Sequence, residues 1–175
     1  MFKRVNANID LPSVESEISS YWDKINAFET SVENRKNDKT FRFYDGPPFP
    51  TGSPHYGNLL AGVIKDIVPR YWTMRGYYVE RRFGWDVHGL PIEMEVQKKL
   101  NLEDPQQIDE YGIDKFNEAC RSQVQTNTEN WEKITRKIGR WVDFENDYKT
   151  MDIEFMESVW WVFKELWSKG LILSL

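Results

Sequence analysis

The sequence predicts an α/β fold, with a parallel sheet and covering helices, that is incomplete in this chain. The first observation is a repeated order: two short aromatic and β-branched segments, 41–45 and 77–83, are each followed by a Gly-containing loop and a helical pattern. The second is the number of strands. Parallel sheets of this kind have several strands and are covered on both faces. Two predicted strands therefore form only the first part of a larger sheet.

Composition limits the function classes. The chain has 175 residues, 40% of them hydrophobic, which is enough to build a core. A net charge of −5 argues against a general polyanion-binding surface. The single Cys excludes an internal disulfide and suits a reducing compartment. No apolar signal segment begins the chain, and VWWVF is far shorter than the ~20 residues of a membrane span. These features predict a cytoplasmic protein with no membrane partner.

Each predicted element has a local reason. Apolar residues at helical spacing predict a helix over 11–28, and the polar run 31–40 predicts a linker. A helix over 55–74 contains Pro69, which predicts a kink or an early end. The loop 84–91 opens a helix that extends to residue 100. Three more helices are predicted over 105–111, 113–138 and 152–169, the last with core-facing Trp160, Trp161 and Trp167.

The first loop, residues 46–58, has the residues of an anion site. Four Pro and three Gly in thirteen positions make it stiff and allow its backbone to approach a ligand. His55 enters the next helix, where free N–H groups favour an anion such as a phosphate. Gly57 leaves a flat gap for a planar ring. Phosphate and ring together indicate a nucleotide, although Val63 and Ile64 stand where a P-loop has Lys and Ser or Thr.

The second loop, GWDVHGLP, has the residues of an ammonium site. Asp86 follows Trp85, so a carboxylate stands beside an aromatic wall, and His88 is the second of the two His in the chain. In open parallel sheets, ligands bind at the ends of the strands, where both loops are predicted. Each signal has a simpler explanation: His55 and Asp86 could be helix-capping or turn residues, and Gly/Pro loops are most often turns.

Several motifs together resemble one family. PHYGN at 54–58 resembles the HIGH signature of class I aminoacyl-tRNA synthetases, and GWDVHGLPIE at 84–93 is similar to the amino-acid-binding segment of their isoleucyl members. The likeness continues through GRWVDFENDYKTMD and FMESVWWVFKELWSKGLI, and covers about residues 10–172. The YYVERRFGWD and PHYG forms look most like the eukaryotic-type branch, which some bacteria also have. The resemblance implies a Rossmann-like catalytic domain beginning near residue 41, after an N-terminal helix and linker over 1–40.

The resemblance also implies a reaction and its residues. The family activates an amino acid with ATP, carried with Mg²⁺, and transfers it to tRNA; here it implies isoleucine and tRNA(Ile), with no metal held by this segment. The implied catalytic residues are His55 and Asn58. The implied ATP-binding residues are Gly46, Pro47, His55, Gly57 and Asn58. The implied amino-acid-binding residues are Pro47, Trp85, Asp86, His88 and Glu93.

Four departures from the family pattern leave other functions open. Asn58 replaces the second His of HIGH, Pro50 stands where relatives usually have a small residue with a free N–H, and Pro69 is unexpected in its helix. The KMSKS loop, the editing domain and the anticodon-binding domain are absent from the sequence. The chain is therefore expected to be inactive alone. One alternative is a truncated, non-catalytic module that binds adenylate or a partner. Another is a nucleotidyltransferase with a similar His loop, which would leave GWDVHG unexplained.

Overall fold

A computed structural model describes residues 8–173 and confirms an α/β fold. Seven helices and two strands occur in these residues. The helices are α1 Leu11–Lys24, α2 Ala27–Glu33, α3 Tyr56–Met74, α4 Leu90–Leu100, α5 Pro105–Tyr111, α6 Ile113–Lys137 and α7 Ile153–Ser168, and the strands are β1 Arg82–Trp85 and β2 Asp143–Lys149.

The two strands form a parallel pair. Gly84 lies opposite Tyr148 and Trp85 opposite Lys149, with an irregularity between Arg82 and Gly84. The helices α4, α5 and α6 lie between the strands in sequence, as a parallel connection requires. The predicted strand 77–83 is therefore shifted: the regular strand begins only at Arg82 and runs two residues into the predicted second loop.

The predicted strand at 41–45 is wrong as a strand. Thr40 and Tyr78 form one isolated parallel bridge, in which the Phe41 N–H donates to the Tyr78 carbonyl over 2.9 Å. The following residues form no ladder with β1. Asp45 instead turns inward, where its side chain is fully buried between two cations. The aromatic composition correctly indicated extended backbone, but the pairing ends after one bridge.

Strand β2 was not predicted from the sequence. Its sequence DFENDYK contains four Asp, Glu or Asn residues, which are poor strand formers. It forms because it pairs with buried β1 and because Phe144 stacks on Phe83, with ring centroids 4.6 Å apart. Tertiary packing thus overrides local propensity.

The predicted N-terminal helix 11–28 is divided into α1 and α2. The break lies at Asn26, whose φ of 47° is left-handed, a conformation that Asn tolerates better than most residues. The second helix then continues to Glu33, into the predicted linker. Trp22 of α1 packs edge-on against Trp141, with centroids 5.2 Å apart, so these helices contact the segment that follows α6.

Helix α3 passes through Pro69 without ending, so the predicted early end is wrong. The helix continues to Met74, and Pro69 is buried. The Pro69 carbonyl accepts hydrogen bonds from Thr73 Oγ1 at 2.8 Å and from Arg81 Nη2 at 3.3 Å. These bonds join the turn after Pro69 to Arg81, although they do not replace the N–H that Pro69 lacks.

The core lies beside the carboxyl end of β1. It joins the β1 segment with α4, α6 and the residue before β2, and comprises Phe83, Trp85, Val87, Ile92, Val96, Phe116, Val124, Trp131 and Val142. The expected core position of the α7 tryptophans is wrong: Trp160 is 71% exposed, and Trp161 and Trp167 are each 62% exposed. Within residues 8–173, nothing covers this face of α7.

Gly84 allows the two strands to lie close together. A Cβ built at Gly84 would overlap the ring of Tyr148, whose hydroxyl donates to the Asp45 carbonyl over 2.6 Å. Burial raises the pKa of Tyr148 to about 12, with smaller contributions from Tyr44 and Asp45. Gly84 therefore positions a tyrosine that links β2 to the start of the first loop.

We expect Gly84→Ala to destabilise the chain by about 1–3 kcal/mol, the range for overpacking a tight site. The matched control is Gly62→Ala in α3, where a new Cβ would meet only Ile138 Cδ1 at 3.5 Å. Because alanine is the better helix former, the control should be neutral or stabilising by up to about 1 kcal/mol. Urea unfolding measures both, and equal effects of the two substitutions would contradict the packing account.

Tyr148 also predicts a pH dependence of stability. Its folded-state pKa of about 12 exceeds the ordinary value of 10, so the folded state retains a proton that the unfolded state loses. The contribution is complete below about pH 10 and is lost as the pH rises toward 12. Arg81 has the opposite sign, because burial lowers its pKa to about 10.

The difference in unfolding free energy between wild type and Tyr148→Phe isolates this contribution, since Arg81 is present in both proteins. Urea unfolding from about pH 9 to about pH 11.5 should show the wild-type advantage decreasing. A difference that stays constant across this range would show that Tyr148 titrates normally in the folded chain.

Candidate functional site

The two predicted loops meet beside the carboxyl end of β1. The backbone N–H of Asp86, one residue after β1, donates to the carbonyl of Pro48 in the first loop over 2.9 Å. This hydrogen bond confirms that the loops lie together. It also gives the Asp86 backbone a defined position relative to the Pro-rich segment.

A buried carboxylate holds the start of the first loop. The Asp45 side chain has no exposed surface, and Arg140 Nη2 lies 3.0 Å from its Oδ2 while Lys65 Nζ lies 2.9 Å from its Oδ1. Tyr148 binds its carbonyl, and Lys65 also donates to the carbonyl of Gly46. We call Asp45, Lys65, Arg140 and Tyr148 the Asp45 clamp.

The Asp45 clamp was missed from the sequence. Its ion-pair partners lie 20 and 95 positions along the chain from Asp45, so no local pattern connects them. The only available signal was an acidic residue in an aromatic segment directly before Gly46 and Pro47. In an apolar setting, such a residue needs a buried partner.

Helix α6 holds the middle of the first loop. Trp131 Nε1 donates to the Gly52 carbonyl over 2.8 Å, and Asn130 Nδ2 contacts Ser53 Oγ at 3.3 Å. Gly52 has a φ of 60°, which favours glycine, and Pro50 is fully buried. The loop is therefore fixed at its start and at its middle.

His55 stands at the N-terminus of α3, as predicted. It is the N-cap residue and is exposed, and its backbone N–H donates to Asn58 Oδ1 over 3.0 Å. Asn58 thus holds the first turn of the helix. Gly57 is exposed, but the His55 ring lies beside it: a Cβ at Gly57 would be 3.1 Å from His55 Cε1.

The remaining first-loop residues frame this helix end. Gly46 is exposed and Pro47 is half-buried. The Gly46 carbonyl is already bound by Lys65, so Gly46 could offer a ligand mainly its N–H and its open Cα face. Free N–H groups in the first turn of α3 add the positive end of a helix dipole.

The second loop alternates between core and surface. Trp85 and Val87 are buried in the core, whereas Asp86 is half-buried and His88 is exposed. Trp85 Nε1 donates to Asp147 Oδ2 over 2.7 Å. The Trp85 ring is therefore packed in the core and does not form the predicted aromatic surface beside Asp86. Trp85 instead anchors the second loop to the core.

A threonine that the sequence did not indicate lies under this loop. Thr150, the residue after β2, is 5% exposed, and its Oγ1 lies within hydrogen-bonding distance of three atoms of the second loop.

Glu93 lies in the first turn of α4 and is exposed. The pKa of the half-buried Cys120 thiol is raised mainly by the burial of Cys120 and, to a smaller extent, by the negative charge of Glu93.

The arrangement suits a ligand with separated charges. An imidazole and a helix N-terminus in the first loop favour an anion, and the Asp86 carboxylate in the second loop favours a cation.

Residues 8–173 contain no group of His, Cys, Asp and Glu arranged to hold a metal ion. No helix among these residues is long and apolar enough to cross a membrane.

Comparison with known proteins gives consistent relatives. Isoleucine–tRNA ligases from Treponema denticola and Tetrahymena thermophila are 52% and 55% identical over 98% of this chain. The cytoplasmic isoleucine–tRNA ligase of Arabidopsis thaliana is 55% identical over 92% of it. The chain spans only 14–16% of the length of these relatives.

A solved structure supports the fold. LeuRS of Agrobacterium radiobacter, in a ternary complex with tRNA and LeuAMS, superposes with a TM-score of 0.63 at 23% identity. The match covers 95% of this chain and 19% of that one. The model of the class I tRNA synthetases (I, L, M and V) matches residues 17–174. The chain therefore belongs to the class I tRNA synthetase family that comprises the I, L, M and V enzymes.

Proposed function

We propose that the chain supplies the first part of the catalytic site of an isoleucine–tRNA ligase. The parent enzyme would activate L-isoleucine with ATP to isoleucyl-adenylate and pass the isoleucyl group to tRNA(Ile). The observation that carries the proposal is the contact between the two loops, Asp86 N–H to Pro48 carbonyl. This contact supports a site that would combine the helix end after the first loop, for an anion, with the Asp86 carboxylate, for an ammonium group.

The proposed roles follow from the charges. His55 and the α3 N-terminus would stabilise negative charge on the phosphates, and Asp86 would bind the α-ammonium of isoleucine. Gly46 and Pro47 would present backbone to the adenylate. Adenine would pack on Gly57, with the neighbouring His55 ring rotating away to make room. Asn58 would keep the helix start in place through the His55 N–H.

The chemistry requires no protein nucleophile. The isoleucine carboxylate attacks the α-phosphorus of ATP, the bond to the bridging oxygen breaks, and pyrophosphate leaves. The protein contributes position and preorganised charge, which are the main sources of catalysis in phosphoryl transfer. Mg²⁺ would enter with ATP and be coordinated mainly by its phosphates.

The chain alone is proposed to be inactive. It spans 14–16% of the matched relatives, and the apolar face of α7 is exposed. We retain the division into an N-terminal helix and linker over 1–40 and a catalytic part over 41–175 as a proposal. The exposed face favours the alternative that the isolated chain is a non-catalytic module, with a function that depends on further protein surface.

Isoleucine-dependent ATP–pyrophosphate exchange tests the proposal. A full-length enzyme that carries this segment should be active, and His55→Ala should lower its rate by about 10²–10³, as for loss of one preorganised donor. The 175-residue chain should show little or no exchange. The matched control Asp114→Asn, at an exposed position in α6, should leave the rate unchanged.

Two results would contradict the proposal. Exchange that proceeds without an amino acid would indicate a nucleotidyltransferase. Exchange stimulated equally by isoleucine, valine and leucine would refute the isoleucine assignment. A hydrophobic pocket alone separates isoleucine from valine by about 150-fold in this class of enzyme, because the two side chains differ by one methylene. Turnover by the isolated chain would refute its proposed inactivity.

A further inference from the structure

The hydroxyl of Thr150 is a junction below the second loop. Its Oγ1 lies 3.0 Å from the backbone N of Val87, 2.6 Å from Nδ1 of His88 and 3.3 Å from Oδ1 of Asp86. We infer that Thr150 is a positioning residue, which orients the Asp86 carboxylate and holds His88 with its proton on Nδ1.

The available protons determine the tautomer. A hydroxyl has one proton to donate and two lone pairs that accept. The Val87 N–H can only donate, so it occupies one lone pair. If the hydroxyl proton went to His88, the Asp86 carboxylate would face the oxygen with no proton between them. If it goes to Asp86, the second lone pair accepts a proton from His88 Nδ1. Only this second arrangement satisfies all three contacts.

The position of Thr150 is itself fixed. Its backbone N–H donates to the Trp85 carbonyl over 2.9 Å, which continues the β1–β2 pairing by one residue. The next turn is held by Asp152, whose Oδ2 accepts from the Lys149 N–H over 2.8 Å. Because Thr150 is buried and anchored on both sides, its hydroxyl can impose an orientation on the more exposed loop above it.

This orientation determines what the second loop offers a ligand. With the proton on Nδ1, neutral His88 has a free lone pair on Nε2, so it accepts a hydrogen bond. The Asp86 carboxylate also accepts. Asp86 and His88 both contact the Thr150 hydroxyl through their side chains, and two acceptors of this kind suit an ammonium group, which has three N–H donors. This assignment of the ligand rests on the proposed function, whereas the tautomer does not.

Nuclear magnetic resonance of the 175-residue chain tests the tautomer directly. Long-range ¹H–¹⁵N spectra show which imidazole nitrogen carries the proton, and the chain has only two His to assign. A His55→Gln variant identifies the His88 signals. At a pH where the ring is neutral, we expect His88 to be protonated mainly at Nδ1. Protonation mainly at Nε2 in the wild type would overturn the inference without any Thr150 variant.

A matched pair of variants then tests the cause. Thr150→Ser keeps the hydroxyl and should keep the Nδ1–H form. Thr150→Val keeps the shape but removes the hydroxyl, and should shift His88 toward the mixture of tautomers found in a flexible peptide. An unchanged tautomer in a folded Thr150→Val chain would show that another group sets it, and would also overturn the inference.

Exchange kinetics of a full-length enzyme that carries this segment test the ligand assignment. Thr150→Val should raise the KM for isoleucine by about tenfold, with less change in kcat and in the KM for ATP, since one oriented hydrogen bond is affected. Thr150→Ser should restore most of the affinity. An unchanged KM beside a changed tautomer would overturn the ammonium assignment. Absence of exchange in the wild type would instead refute the proposed function, while the spectra still decide the tautomer.

Discussion

The buried carboxylate of Asp45 is the constraint on which the site depends. Moving an ion out of water costs several kcal/mol unless close partners compensate for the lost hydration. The two cations near Asp45 come from different parts of the chain, Lys65 from the middle of α3 and Arg140 from the segment before β2. The need to pair one charge therefore brings three segments together.

This constraint explains why residues 41–45 do not continue as a regular strand. After the bridge between Thr40 and Tyr78, the chain must bring Asp45 to its partners, so the pairing does not extend to β1. The first loop then starts from a fixed point. Trp131 holds its middle and Asn58 holds the helix start beyond it. Rigidity of this kind lowers the entropy lost when a ligand binds.

The second loop uses a different kind of support. Hydrogen bonds replace the ion pair: Pro48 receives the Asp86 N–H, and Thr150 contacts the next residues. Core side chains Trp85 and Val87 anchor alternate positions, which leaves Asp86 and His88 toward the surface. Anion-binding and cation-binding groups are thus carried by two loops that differ in their main support and are joined by the hydrogen bond between Asp86 and Pro48.

Local patterns predicted what depends on local physics. The bounds of α5 agree because Asp104 caps the helix, Pro105 starts it and Gly112 ends it. The placement of His55 at a helix start and of Asp86 after a strand was also predictable. The pairing of Asp45 and the contacts of Thr150 were not predictable, because most of their partners lie about 60 or more residues away along the chain; Lys65 is the exception. The prediction that the α7 tryptophans lie in the core was wrong for a related reason. Helical spacing identifies an apolar face of a helix but not the residues that cover it.

The most direct test of the account is a calorimetric titration of the chain with a non-hydrolysable isoleucyl-adenylate analogue, in wild type and in Arg140→Met. Circular dichroism should first establish that both are folded, and Arg136→Met at an exposed ion pair is the control. The account predicts saturable binding that is stronger than for the valyl analogue, and a loss of at least about tenfold in affinity only in Arg140→Met. No binding by the folded wild type, or equal affinity in Arg140→Met, would contradict the claim that the Asp45 clamp holds a preformed half of the site.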